Sequence, residues 1–182
     1  GTALEDSQLD SRRGNYLAAL CWDKQGWHAA WLDVSTADFR LASDSSPSRL
    51  LPLLHSVSPR EIILPEGLEP SAADREALEV FLQGRAVSRL PGWNFDGAAG
   101  ARLVAQTLSV HGLAGFGLTD EHPALGVAGA VLGYVTDSLC DSRVGRIYKR
   151  LGQLAGLSDA VVKSISGHSM RVGGAQDLLN IG

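Results

Sequence analysis

The feature that most constrains the fold is a change of hydrophobic pattern at the Ser/Asp cluster 43–46. Before it lie three strand-like runs, Tyr16–Trp22, Trp27–Asp33 and Ala37–Leu41, separated by short polar turns. After it, helical and strand-like patterns alternate as far as residue 138. Three successive strands favour an antiparallel meander, and the later alternation adds strands and helices to the same sheet. The pattern therefore predicts an α/β fold, a mixed five-stranded sheet with flanking helices.

The helices and strands predicted after residue 46 have local start and stop signals. They are a helix from Pro47, a buried strand at 59–65, a helix capped by Ser71, a strand at 86–90, a helix capped by Asp96 with Leu103, Val104 and Leu108 on one face, and an apolar helix at 123–139. The last helix contains Gly126, Gly129 and Gly133, whose small size permits close backbone packing. We expect this helix to be buried.

A different pattern begins at residue 139. A basic amphipathic helix is predicted at 142–156 and a last helix at 169–180. Residues 1–138 contain 10 Lys and Arg against 17 Asp and Glu, whereas residues 139–182 contain 6 against 3. The sequence thus divides into a domain at 1–138 and a C-terminal helical appendage at 139–182, whose positive charge predicts weak DNA binding.

Composition narrows the class of protein. Hydrophobic residues make up 45% and charged residues 20% of the chain, and no apolar run approaches the roughly 20 residues of a membrane span. The two cysteines, Cys21 and Cys140, lack a CxxC partner, which favours reduced thiols over a metal site or a disulfide framework. We expect a cytoplasmic protein with no membrane contact, no metal and no cofactor.

Residues 1–138 resemble the connector domain, or domain II, of the bacterial mismatch-repair MutS family. The resemblance is carried, in order, by Gly1-Thr-Ala-Leu-Glu, Asn15-Tyr-Leu-Ala-Ala, Leu32-Asp-Val-Ser-Thr-Ala-Asp-Phe39, Pro59-Arg-Glu-Ile-Ile-Leu-Pro65, Trp93-Asn-Phe-Asp96, Leu113-Ala-Gly-Phe-Gly-Leu118 and Ala128-Gly-Ala-Val-Leu-Gly-Tyr134. It implies a ribonuclease-H-like fold without a nuclease site. It also implies a domain that joins the mismatch-binding domain to the core and contributes to communication with MutL.

One departure from that family concerns MutL. A glutamine pair on the helix after the Trp-x-Phe-Asp landmark takes part in MutL contact in the family, whereas the aligned positions here are about Arg102 and Leu103. MutL docking is therefore in doubt.

The residue chemistry gives no separate sign of a nuclease or a nucleic-acid groove. Asp33 and Asp38 are the only strand acids near the expected meander, and Asp33 is interpreted as a turn or strand-end residue. The four tryptophans, Trp22, Trp27, Trp31 and Trp93, are interpreted as core and edge packing rather than base-stacking platforms.

The tail resembles the tyrosine recombinase, or phage integrase, catalytic domain around its His-x-x-Arg box. The strings are Val144-Gly-Arg-Ile-Tyr-Lys-Arg-Leu151, Ala155-Gly-Leu157 and Ser166-Gly-His-Ser-Met-Arg-Val-Gly-Gly-Ala-Gln-Asp-Leu178. His168 and Arg171 are three residues apart, so at a helix start they would face one phosphate. Lys149, Arg150 and Lys163 are further candidates for phosphate or DNA binding.

The resemblance implies an incomplete site. The recombinase nucleophile is a tyrosine after the box, whereas Tyr148 precedes it and Tyr16 and Tyr134 lie in the first segment. No phosphotyrosine intermediate is expected, so His168 and Arg171 are interpreted as a remnant with no catalytic activity.

Together these observations predict a non-catalytic structural and binding module derived from a mismatch-repair connector. It is fused near residue 138 to an incomplete recombinase segment, as in a natural or engineered chimera selected for folding. The apolar stripes of the tail would serve packing or homodimer formation. The alternative is a fragment of a site-specific tyrosine recombinase that retains DNA phosphate binding.

Overall fold

The computed structural model describes residues 15–138, and within them the chain forms one five-stranded sheet. The strands are β1 Tyr16–Asp23, β2 Gly26–Asp33, β3 Phe39–Asp44, β4 Glu61–Pro65 and β5 Ala86–Leu90. Their order across the sheet is β3-β2-β1-β4-β5. The pairs β1/β2 and β2/β3 are antiparallel, whereas β1/β4 and β4/β5 are parallel. The predicted mixed five-stranded sheet is confirmed.

Four α-helices accompany the sheet within the same residues. They are α1 Pro47–Val57, α2 Ala72–Leu82, α3 Gly97–Leu108 and α4 Leu125–Ser138, with short 3-10 turns at Gly92–Phe95 and Ala114–Phe116. The two predicted caps are confirmed. Ser71 Oγ accepts from the Asp74 amide over 3.2 Å, and Asp96 Oδ1 accepts from the Ala99 amide over 2.7 Å. These bonds satisfy amides that the first helical turn leaves without partners.

The helices cover both faces of the sheet. Because successive strand residues point to opposite faces, Ala18 and Leu20 pack into the core under α1 and α2, whereas Leu17 and Ala19 pack into the core under α3 and α4. Both cores are lined mainly by small and branched aliphatic side chains. The chain is therefore a three-layer α/β domain in residues 15–138.

Glycines let α4 approach its neighbours closely, and the predicted burial of this helix is confirmed. A Cβ added to Gly129 would lie 2.6 Å from the Cα of Gly100 on α3, and one added to Gly126 would clash with the backbone of Phe95. Gly133 differs, because a Cβ there would have no atom within 4 Å. Close packing thus requires two of the three glycines singled out in the sequence.

Three expectations from the sequence need correction. Strand β3 begins at Phe39 rather than Ala37, because Ala37 has a φ of 60° and closes a turn with Asp33. The buried face of α3 consists of Gly100, Ala101, Val104 and Thr107, so Leu103 and Leu108 are only half-buried at its flanks. Trp93 is 74% exposed and is not a packing residue, unlike the buried Trp27 and Trp31.

Two further expectations bear on membranes and on the tail. No helix among residues 15–138 is long and apolar enough to cross a bilayer. The helices predicted at 142–156 and 169–180 lie outside the described residues.

Candidate binding surfaces

Asp33 stabilises the turn between β2 and β3. Its Oδ1 atom accepts hydrogen bonds from the Ser35 amide over 2.8 Å and from the Ser35 hydroxyl over 2.5 Å. Its main-chain carbonyl accepts from the Ala37 amide over 2.7 Å. Burial raises the pKa of the Asp33 carboxyl, but hydrogen bonds from Ser35 and Thr36 outweigh burial and hold that pKa below its ordinary value. The interpretation of Asp33 as a turn residue is confirmed.

Asp38, the second acid near the meander, forms an ion pair. The Arg40 Nε atom lies 3.1 Å from each carboxylate oxygen of Asp38. The two acids therefore have separate partners, one a turn and the other an arginine. Within residues 15–138, no group of three or more His, Cys, Asp or Glu side chains is arranged to hold a metal ion.

His28 is a buried polar residue that joins the three antiparallel strands. Its Nε2 atom lies 3.1 Å from Asp23 Oδ1, and its Nδ1 atom lies 2.9 Å from Ser43 Oγ. A carboxylate can only accept, so Nε2 carries a proton and donates to Asp23. The sequence analysis did not single out this chain of hydrogen bonds, which depends on the strand register that places His28 opposite Ser43.

A groove of about 680 Å³ lies between α1 and α2 and is called here the α1–α2 groove. Its lining residues are Pro47, Ser48, Leu51, Pro52 and His55 of α1 and Ala73, Glu76, Ala77, Val80 and Phe81 of α2. Each set recurs at helical spacing, so each helix contributes one continuous stripe. The groove is therefore the gap between two parallel ridges of side chains.

The floor and the rim of this groove differ in burial. Leu51 and Phe81 form a buried floor that also belongs to the core, whereas Val80 on the rim is 60% exposed. Ala77 and Ala73, one and two turns before Val80, are exposed as well. An apolar stripe that continues outward from a core is a feature of surfaces that bind a partner.

Arg85 closes one end of the α1–α2 groove. Its guanidinium lies 4.5 Å from the centroid of the Phe81 ring, donates to the Phe81 carbonyl, and has one nitrogen 3.0 Å from His55 Nδ1. The polar residues that line the groove are Ser48, His55 and Glu76, and Arg85 lies beside His55 at one end.

A second exposed surface lies around the start of α3. Trp93, in the 3-10 turn before the helix, is 74% exposed, and Arg102 is exposed on the helix itself. Leu103, the next residue on the helix, is half-buried. The aromatic side chain and the arginine are the residue types most enriched at protein interfaces.

The phosphate-binding candidates predicted from the sequence lie outside the described residues. These are Lys149, Arg150, Lys163, His168 and Arg171. The sequence analysis does not predict the α1–α2 groove, although the helical spacing of Ala73, Ala77 and Val80 is a detectable signal. The pattern was overlooked because it surrounds acidic residues and because alanine is compatible with either a buried or an exposed face.

Fold and surfaces define the chain, over residues 15–138, as a three-layer α/β domain whose strand-end acids serve turns and ion pairs. The sequence matches MutS domain II over residues 15–145. It is 31% identical to the DNA mismatch repair protein MutS of Myxococcus xanthus (strain DK1622) over 138 residues, which are 76% of this chain and 16% of that protein. It is 36% identical to the DNA mismatch repair protein MutS of Paracoccus denitrificans (strain Pd 1222) over 135 residues, 74% of this chain and 14% of that protein.

The chain belongs to the MutS domain II family. The resemblance inferred from the first segment is therefore confirmed. The chain spans only 14–16% of the length of these two relatives. The resemblance of residues 139–182 to tyrosine recombinases stays a prediction.

Proposed function

We propose that residues 1–138 form a non-catalytic, ribonuclease-H-like connector that positions and links other parts of a mismatch-repair protein. The observation that carries this proposal is the match to MutS domain II over residues 15–145, in relatives of which the chain covers only 14–16%. A domain of this relative size acts by contacting its neighbours.

Asp33 and Asp38 already bind other groups of the domain, which supports a structural role. A two-metal nuclease needs several carboxylates that converge on the ions. Asp33 is instead occupied by its own turn and Asp38 by Arg40. The strand order β3-β2-β1-β4-β5, with three antiparallel strands followed by two parallel ones, supports the ribonuclease-H-like assignment.

The surface at the start of α3 is the proposed contact for a MutL-type partner. Here Arg102 replaces a neutral amide by an exposed cation, and Leu103 turns an apolar side chain toward the flank of the helix. A neutral amide both donates and accepts hydrogen bonds, whereas guanidinium only donates. We therefore expect MutL recognition to be weaker than in the family.

A domain exchange tests the connector role. Residues 15–138 are introduced in place of domain II of the Myxococcus xanthus MutS, and the spontaneous mutation rate is measured in a strain that lacks its own MutS. We expect the exchanged protein to bind mismatched DNA. Restoration of repair should be partial, and should improve when Arg102→Gln and Leu103→Gln are introduced together.

A variant that disrupts the fold serves as the control for the exchange. The same exchange carrying Gly129→Val, which disrupts the α3–α4 contact, should lose repair. If the correctly folded exchange fails to bind mismatched DNA and the two glutamine substitutions do not change the mutation rate, the connector proposal is wrong.

A second candidate function concerns the tail. The His-x-x-Arg box at His168 and Arg171, with the nearby basic residues, favours weak, salt-sensitive binding of DNA phosphate. The double substitution His168→Ala and Arg171→Ala should lower the affinity for DNA. Incubation with nicked and supercoiled DNA should yield no covalent adduct, and any adduct would instead identify an active recombinase fragment.

A further inference from the structure

The α1–α2 groove has an apolar rim that nothing covers within residues 15–138. Val80 is 60% exposed, and Ala73 and Ala77 extend the same stripe along α2. The floor, Leu51 and Phe81, is already part of the core. A third helix lying on the two ridges would complete a second layer on this face.

Helix α4 packs on the opposite face of the sheet from the groove, but its last turns lie at the same end of the sheet as one end of the groove. Tyr134 on α4 donates to Glu61, the first residue of β4, and α1 ends only four residues before Glu61, at Val57. Arg85, just before β5, binds His55 of α1 at that same end of the sheet. After Ser138, the six steps to Val144 reach at most about 20 Å, enough to pass the end of the sheet.

The segment that follows has the complementary pattern. Val144, Ile147, Leu151 and Leu154 form an apolar stripe in residues 142–156, and the same segment contains Arg143, Arg146, Lys149 and Arg150. Helix α2 contains Asp74, Glu76 and Glu79 against the single cation Arg75. A helix of 15 residues is about 22 Å long and α2, with 11 residues, about 16 Å, so the segment spans the whole groove.

We propose that residues 142–156 of this same chain dock as an amphipathic helix in the α1–α2 groove. Ile147 and Leu151 then pack against Val80 and Ala77, and the basic face lies toward Glu76, the acidic residue of α2 that lines the groove. This contact converts the tail from an appendage into part of the domain and covers the apolar rim.

Limited trypsin digestion of the full chain tests the contact. Cleavage after Arg146, Lys149 and Arg150 is followed by mass spectrometry. We expect Val80→Asp to accelerate these cuts about tenfold, because the docked helix opens more often. Phe116→Asp serves as the control for a new charge on an apolar side chain outside the groove lining, since Phe116 is 44% exposed and should leave the rate unchanged.

A matched pair on α2 separates docking from general charge effects. Glu76 and Glu79 are both exposed, but only Glu76 lines the groove. Glu76→Gln should accelerate cleavage several-fold and Glu79→Gln should have a much smaller effect. Equal effects of the two substitutions, or no effect of Val80→Asp, would overturn the proposal.

Methyl NMR of the full chain gives an independent measurement that does not depend on the protease. Cross-peaks between the methyl groups of Val80 and those of Ile147 or Leu151 support the docked helix, and Ile147→Asp should shift the Val80 and Ala77 resonances. Unshifted resonances would overturn it. If the protection of residues 142–156 against trypsin increases with protein concentration, the groove binds this segment of a second copy. That result would also overturn the proposal.

Discussion

The hydroxyl of Tyr134 donates a hydrogen bond to a carboxylate oxygen of Glu61 over 2.6 Å and thereby joins the buried helix α4 to the first residue of β4. Ser88 on β5 donates to the same oxygen over 2.5 Å. One charged acceptor thus holds a helix and two parallel strands together, and hydrogen bonds to a charged group are stronger than those between neutral groups. The contact connects residues 73 positions apart in the chain.

This contact should contribute measurably to stability. Tyr134→Phe removes one donor while preserving the ring, so the free energy of unfolding should fall by about 1–2 kcal/mol. Urea unfolding of Tyr134→Phe, Ser88→Ala and the double variant gives the coupling between the two donors. Wild-type stability in all three variants would show that the shared carboxylate adds nothing to the fold.

The two kinds of glycine in α4 should respond oppositely to alanine. Gly129→Ala places a methyl group 2.6 Å from the Cα of Gly100, so α3 and α4 must separate and stability should fall by about 1–3 kcal/mol. Gly133→Ala meets no atom within 4 Å. It should raise stability by about 0.5–1 kcal/mol through helix propensity. Thermal and urea unfolding check both signs, and destabilisation by Gly133→Ala would contradict the packing described above.

Acid pH should remove the contribution of Asp33 to the stability of the fold. Its folded pKa is lower than the ordinary value of 3.8, so its contribution to stability is present above that value. The contribution is lost as the pH falls through the folded pKa. Unfolding free energies measured between neutral and strongly acid pH should fall less steeply for Asp33→Asn than for the unchanged chain. Ser35→Ala should give an intermediate slope, and parallel curves for all three would contradict this assignment.

Cys21 should be chemically inert in the folded chain. Burial, together with the charge of Asp23, raises the pKa of its thiol to about 12. Only roughly one thiol in 10,000 is then ionised at pH 8. In a Cys140→Ser variant, alkylation by iodoacetamide should be far slower under native conditions than in urea. Similar rates under the two conditions would show that the thiol is accessible and normally ionising.

Local patterns predicted most of the architecture. The sequence predicts β1, β2 and the helix starts at Ser71 and Asp96 because short apolar runs between turns, and helix caps, involve residues close in the sequence. Errors arose where neighbours distant in the sequence decide burial. Trp93 is exposed because it lies in the 3-10 turn that precedes α3. Leu103 is only half-buried, since the face of α3 that packs into the core consists of smaller residues.

The sequence by itself determined the class of fold, the order of its elements and the family to which the chain belongs. Only the tertiary structure decided which side chains remain available for binding, because the α1–α2 groove exists only where the packing of α1 and α2 on one sheet face brings their stripes side by side. Tertiary packing likewise decided that Glu61 binds Tyr134 and that His28 lies between Asp23 and Ser43. These pairings depend on the register of strands and the approach of helices, and neither is encoded within a short stretch of chain.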